Sequence, residues 1–159
     1  MHELTSYGLE PRPLASEMSP DLKVGRWRLL ELPSVAERRG NLTFIQAEQH
    51  IPFRIERVYY ISAVPGDGTR AGHAHRDLEE VLLCVKGRFQ LTMDDGARRK
   101  RLTMDRPDRG VYIPPFVWHE LESFSRDAVA LGLASLPYSE EDHFSDYEEF
   151  ARVARRPSV

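Results

Sequence analysis

The 159-residue chain reads as an all-β domain, a barrel or sandwich, with a short C-terminal helix. Three observations predict this. Short runs rich in β-branched and aromatic residues recur, among them "RVYYI", "EVLLCV", "RFQLTM", "GVYI" and "AVALGLA". Turn signals such as "PGDG" and "DDG" separate them. Only "SDYEEFARVARR" carries helical spacing, with Tyr147, Phe150 and Val153 on one face and Ser145 as its cap.

The elements follow in chain order. Residues 1–22 hold Pro11, Pro13 and Pro20 among small and polar residues and are expected to form a flexible extension. Residues 23–155 are expected to form a single domain, beginning with the apolar strand "VGRWRLLELP". "GNLTFIQAEQ" comes next, then "RIERVYYISAV", whose alternation sets Arg57 and Tyr59 on one face and Val58 and Tyr60 on the other. "EVLLCVKGRFQLTM", the basic run "ARRKRLTM" and "RGVYIPPFVWHELES" supply further strands, and "AVALGLAS" is the last one expected. Arg98, Arg99, Lys100 and Arg101 follow a hairpin turn without interleaved aromatics and read as a solvated strand. "SEEDHFSDYEE" lacks the oxygen spacing and turn glycine of a calcium loop and reads as a solvated approach to the helix.

Composition excludes several classes. Hydrophobic residues make up 41% and charged residues 30%, as in a globular protein, and the net charge of -3 argues against a general nucleic-acid binder. A single cysteine, Cys84, permits no internal disulfide and suits a reducing compartment. The N-terminus lacks the basic start and apolar core of a secretory signal, and no apolar run approaches the ~20 residues of a membrane helix. The expected location is cytoplasmic.

The chemistry lies in "AGHAHRDLEEVLLCVKG". Residues i and i+2 of a strand share a face, so His73 and His75 project together. Such a pair can hold a metal or move protons near neutral pH. With Glu80 and His119 it would make three histidines and a carboxylate, a set suited to a first-row transition metal.

His73, His75, Glu79, Glu80 and Gly87 in this spacing resemble the first signature of the cupin superfamily. "PPFVWH" resembles the second, with Pro114 and His119 in place and Phe116 where glycine is expected. That resemblance implies a cupin jelly roll, a double-sheet β-barrel with its functional groups at the mouth. A longer resemblance runs from Arg38 to Phe150 through "RRGNLTFIQ", "IPFRIERVYYI", "GHAHRDLEEVLLCVKG", "MDDG", "GVYIPPFVWHE" and "DYEEF". Together these are similar to the sugar-nucleotide 3,4-ketoisomerases of deoxysugar biosynthesis, which move the carbonyl of dTDP-4-keto-6-deoxyglucose from carbon 4 to carbon 3.

The resemblance implies a site without metal or cofactor, in which His73 and His75 are the catalytic acid and base acting through an enediol. It implies a dTDP-linked keto sugar as ligand and a homodimer with exchanged N-terminal strands. Arg70 is placed by it at the diphosphate. Arg57, beside Tyr59, meets either a carboxylate or the nucleotide phosphates, because an unpaired cation inside a small barrel is costly. Trp118 either stacks on thymine or sugar or belongs to the core. Arg39 and His119 stand where gluco-forming members carry Arg and His, so a dTDP-3-keto-6-deoxy-D-glucose product is expected. One departure counts against the match: the resembled family often has Glu-Gln where this chain has Glu79-Glu80. A metal-dependent, oxygenase-like cupin using His73, His75, Glu80 and His119 is therefore the rival, with a non-catalytic sugar-nucleotide sensor as a second.

Overall fold

The computed structural model describes residues 26–155, so the extension expected over 1–22 lies outside the described residues. Twelve strands, one α-helix and a 3-10 turn at Glu140–Asp142 occur in this range. They are β1 (Arg28–Glu31), β2 (Ser34–Glu37), β3 (Gly40–Thr43), β4 (Arg57–Ser62), β5 (Arg70–His75) and β6 (Glu80–Lys86). There follow β7 (Phe89–Asp94), β8 (Arg99–Met104), β9 (Arg109–Ile113), β10 (Trp118–Glu122), β11 (Val129–Ala134), β12 (His143–Phe144) and α1 (Tyr147–Ala154). Two five-stranded sheets, β1-β9-β6-β11-β4 and β12-β5-β10-β7-β8, face each other, and β2 and β3 form a separate hairpin. All these strand pairs are antiparallel, and the result is the double-sheet jelly roll of the cupins. No helix among the described residues is long and apolar enough to cross a membrane.

Strand alternation sorts side chains into three apolar layers. Leu82, Phe89, Leu91, Met93, Val111, Ile113, Val117 and Leu121 fill the space between the sheets. Val81, Leu83, Tyr112 and Leu133, on the other face of the first sheet, are covered by Ile51 and Phe53. Ala74 and Trp118, on the outer face of the second sheet, are covered by Phe144, Phe150 and Ala151. The basic run on β8 is exposed and pairs with Asp94, Asp95, Glu120 and Glu122, as a solvated strand should.

Three local expectations change. The helix is capped by Asp146, whose carboxylate accepts the Glu149 N–H at 2.7 Å, and not by Ser145, because the helix starts one residue later. Its buried residues are Phe150 and Ala151, whereas Val153 is exposed. "AVALGLAS" is not the last strand: β12 emerges from the acidic stretch and pairs with β5 through His143↔His75 and Phe144↔Ala74.

Phe150 is fully buried, with its ring centroid 5.7 Å from that of Trp118. Urea unfolding of Phe150→Ala is expected to show a loss of about 3–5 kcal/mol. Asp146→Ala should lose only about 1 kcal/mol, the worth of a helix cap.

Candidate active site

Five strands and the segment before β12 aim polar groups into one cavity of 340 Å³. His73 and His75 reach it from β5, Glu80 from β6, His119 from β10, Arg57 and Tyr59 from β4, and His143 from β12, with Tyr138 and Arg70 also in its wall. A volume of this order lies at the lower end of the ~300–1,000 Å³ range of small-molecule sites.

A bulge in β5 sets the histidine pair. His119 pairs with His73 and Glu120 with Ala71, leaving Gly72 as the extra residue. Ala71 and Gly72 both have positive φ, 62° and 73°. On β10's approach, Phe116 stands where cupins place glycine and keeps the left-handed backbone that glycine would adopt, with φ of 60°. Its N–H donates to the His75 carbonyl at 2.8 Å, and its ring packs 5.7 Å from Phe144. These contacts offset the strain of a bulky residue in that conformation.

The inner wall is a connected network. Tyr59 donates its hydroxyl to Glu80 Oε2 at 2.7 Å. Glu80 Oε1 stands 2.8 Å from His119 Nε2 in an ion-pair contact, without a well-aligned donor. The other ring nitrogen of His119 lies 3.2 Å from the Val117 carbonyl. His75 Nδ1 lies 2.9 Å from Asp142 Oδ2, which leaves Nε2 facing the cavity, 3.9 Å from Glu80 Oε1. His73 completes the group, its ring centroid 4.8 Å from those of His75 and His119 and 4.7 Å from that of His143.

Charge is divided unevenly across these rings. Burial, then the neighbouring His119 and His75, holds His73 down at about 3 despite the pull of Glu80. Burial also lowers His75, although Glu80 and Asp142 oppose it. Burial alone would push Glu80 up, but His119, His75 and the Tyr59 hydroxyl outweigh it and keep the carboxyl at about 2. For His119 burial again works against charge, yet Glu80 and the Val117 carbonyl raise its pKa. The site thus presents two neutral imidazoles opposite a charged imidazole–carboxylate pair. The ligand atoms of His73, His75, Glu80 and His119 all lie within 4.8 Å of one another, so this set could also hold a transition metal.

Most of the site residues expected from the sequence converge here: His73, His75, His119, Arg57, Tyr59 and Arg70 all line the cavity. Arg57 meets no carboxylate among the described contacts. Its guanidinium lies between the rings of Tyr59 and Tyr138, 5.5 and 5.4 Å from their centroids, and its Nε is buried without a hydrogen-bond partner. Trp118 is core: it packs on Tyr147 and Phe150 and donates Nε1 to Glu120, because alternation turns it away from His119. Arg39 lies outside the cavity of its own chain, beside the β2–β3 turn, 84% exposed and paired with Glu37 at 2.8 Å.

Tyr138, Asp142 and His143 are additions. The acidic stretch that reads as a solvated helix approach instead returns to β5, and the sequence signal was the alternation of Asp142 and Phe144 around His143.

Spectroscopy can check the division of charge. Near pH ~6.5, the ordinary imidazole midpoint, a raised pKa leaves His119 protonated on both nitrogens and a lowered one leaves His73 neutral. Ring ¹⁵N shifts at that pH should show this contrast; a neutral His119 would contradict it.

Comparison with known proteins agrees with this geometry. Residues 26–155 match the family described as FdtA: WxcM-like, C-terminal. A TDP-4-oxo-6-deoxy-alpha-D-glucose-3,4-oxoisomerase from Aneurinibacillus thermoaerophilus is 39% identical over 125 residues, covering 79% of this chain and 90% of that relative. Among solved structures, a variant of the 3,4-ketoisomerase QdtA from Thermoanaerobacterium thermosaccharolyticum, in complex with TDP-4-keto-6-deoxyglucose, superposes with a TM-score of 0.79. It is 35% identical, and the match covers 81% of this chain and 94% of that one. The WlaRB TDP-quinovose 3,4-ketoisomerase from Campylobacter jejuni gives a TM-score of 0.76 at 35% identity, with 79% and 97% covered. With a family match over all of its described residues, and with 3,4-ketoisomerases among its relatives in sequence and in structure, the chain belongs to the FdtA-like family of sugar-nucleotide 3,4-ketoisomerases.

Proposed function

We propose that this protein isomerises TDP-4-keto-6-deoxyglucose to the 3-keto sugar by histidine acid–base catalysis, without a cofactor. The observation that carries this reading is the convergence of His73 and His75 with the His119–Glu80 pair in one cavity, where burial favours the neutral form of the first two and the Glu80 carboxylate favours the charged form of His119. Moving the carbonyl requires taking the proton from carbon 3, protonating the oxygen at carbon 4, and then reversing both transfers at the neighbouring atoms. A neutral imidazole has a lone pair to accept the carbon-bound proton and an N–H to offer the substrate oxygen, so His73 and His75 can share the two roles, while His119, whose ring nitrogens face Glu80 and the Val117 carbonyl, adds positive charge beside them. The resulting enediol collapses as the hydroxyl on carbon 3 gives up its proton and carbon 4 gains one. Arg57 and Arg70 supply cations suited to the diphosphate. In support, relatives of this family are solved with TDP and with TDP-4-keto-6-deoxyglucose. The gluco configuration expected at carbon 4 needs Arg39 at the ring. Within one chain only His119 of that pair lines the cavity, so the reading stops at a 3-keto-6-deoxyhexose. A cytoplasmic location belongs to the same reading.

A second reading, a metal-dependent cupin, is favoured by the convergence of His73, His75, Glu80 and His119. A metal held there would act as a Lewis acid toward a substrate oxygen. The two readings separate in one assay. Chelator-treated protein given TDP-4-keto-6-deoxyglucose should turn over at the full rate. His73→Asn and His75→Asn should each fold normally yet lose at least about 10²-fold in turnover. Loss of activity on chelation, with recovery on adding back a transition metal, would favour the metal reading.

The reading includes a homodimer with exchanged N-terminal strands. β1 is an edge strand that pairs with β9 in its own chain, and the register it uses would serve a second copy equally. The β2–β3 hairpin stands apart from both sheets, with Leu42 48% exposed, and a two-stranded hairpin is marginal without a partner. Light scattering at micromolar concentration should give twice the chain mass of 18.3 kDa; a monomer would count against the exchange.

A further inference from the structure

Gly132 lies in the interior of β11, and it is not among the glycines with positive φ. Nothing in its backbone therefore calls for glycine, and glycine within a strand costs conformational entropy and offers no side chain to pack. What it supplies is space. In register it sits directly between Tyr59 on β4 and Leu82 on β6. A Cβ at this position would come within 2.1 Å of the Tyr59 Cζ and 2.3 and 2.6 Å of its two Cε atoms. Non-bonded carbons do not approach so closely, so the phenol ring lies flat on bare backbone. Ala130 and Ala134, its neighbours on the same inward face, keep the rest of that path low. By crossing β11 there, Tyr59 reaches Glu80, which sits on the next strand, and donates to Oε2 at 2.7 Å. The opposite oxygen of the same carboxylate faces His119.

We propose that Gly132 is a positioning residue of this enzyme: by leaving β11 bare it lets the Tyr59 ring cross that strand and hold Glu80, and through Glu80 His119, in the reacting geometry. The activity it serves is the ketoisomerase reading above. A methyl group at 132 forces the ring about 1 Å or more away from β11, toward the cavity that Tyr59 lines, and a displacement of that size in a catalytic network can cost about 10²-fold.

The test is a double-mutant cycle on the full-length protein with Gly132→Ala, Tyr59→Leu and the two combined, reading Tm and, well below Tm, kcat and KM. In the parent background Gly132→Ala should lower kcat about 10²-fold and lower Tm by roughly 3–10 °C through overpacking. Added to Tyr59→Leu, the same substitution should change neither kcat nor Tm, because the ring it collides with is gone. The combined variant should therefore match Tyr59→Leu in both Tm and kcat, while Gly132→Ala alone loses kcat at temperatures where it is fully folded, which a merely structural role would not produce. Turnover within about twofold of the parent in Gly132→Ala would overturn the proposal. A further loss of Tm or kcat on adding Gly132→Ala to Tyr59→Leu would also overturn it, and that comparison stands even where Gly132→Ala alone does not fold. A parent inactive on TDP-4-keto-6-deoxyglucose would sink the ketoisomerase reading instead, and the Tm coupling would still decide the packing claim.

Discussion

A carboxylate inside a β-barrel is the constraint around which this interior is arranged. Glu80 is 1% exposed and ionised, and burying such a charge unpaired would cost several kcal/mol. Every strand that faces it contributes to holding it: Tyr59 from β4 by a hydrogen bond, His119 from β10 by an ion pair, His75 from β5 at longer range. The arrangement is reciprocal. The carboxylate that needs a cation is also what keeps His119 protonated in a place where burial alone would strip its proton. The geometry of the cavity and the stability of the interior therefore depend on the same three contacts.

The histidines of β5 are governed by a different balance. His73 sits as close to His75 as to the charged ring, and burial together with like charge nearby favours the neutral forms of both β5 histidines. Asp142 steadies His75 without converting it to a cation, since its hydrogen bond is outweighed by burial. One cavity thus contains lone pairs able to accept a proton beside a fixed positive charge. A carbonyl shift between adjacent carbons asks for both within the span of a sugar ring.

Cupin resemblance pointed equally to a metal site, and the geometry does keep that donor set together. What weighs toward proton chemistry is the use of the same atoms in an internal network. Glu80 already accepts from Tyr59 and neutralises His119, so a metal would have to displace a proton there before it could bind.

Local sequence carried much of this. The strand runs, the turn signals and the spacing of His73, His75, Glu80 and His119 follow from backbone periodicity and short-range motif chemistry, which a linear chain displays directly. Alternation likewise put Arg57 and Tyr59 on the inner face, and applied to "VWHE" it turns Trp118 outward as soon as His119 is turned inward. What tertiary structure alone decided is which distant residues meet. Asp142 and His143 enter the site because β12 folds back to pair with β5, which sets Asp142 beside His75, 67 residues earlier in the chain. Arg39 leaves it because the β2–β3 hairpin points elsewhere within the chain. Gly132 matters because Tyr59 lies across it. Pairings of this kind are set by the closure of two sheets around a shared core, and no local pattern encodes the partner of a strand so far away.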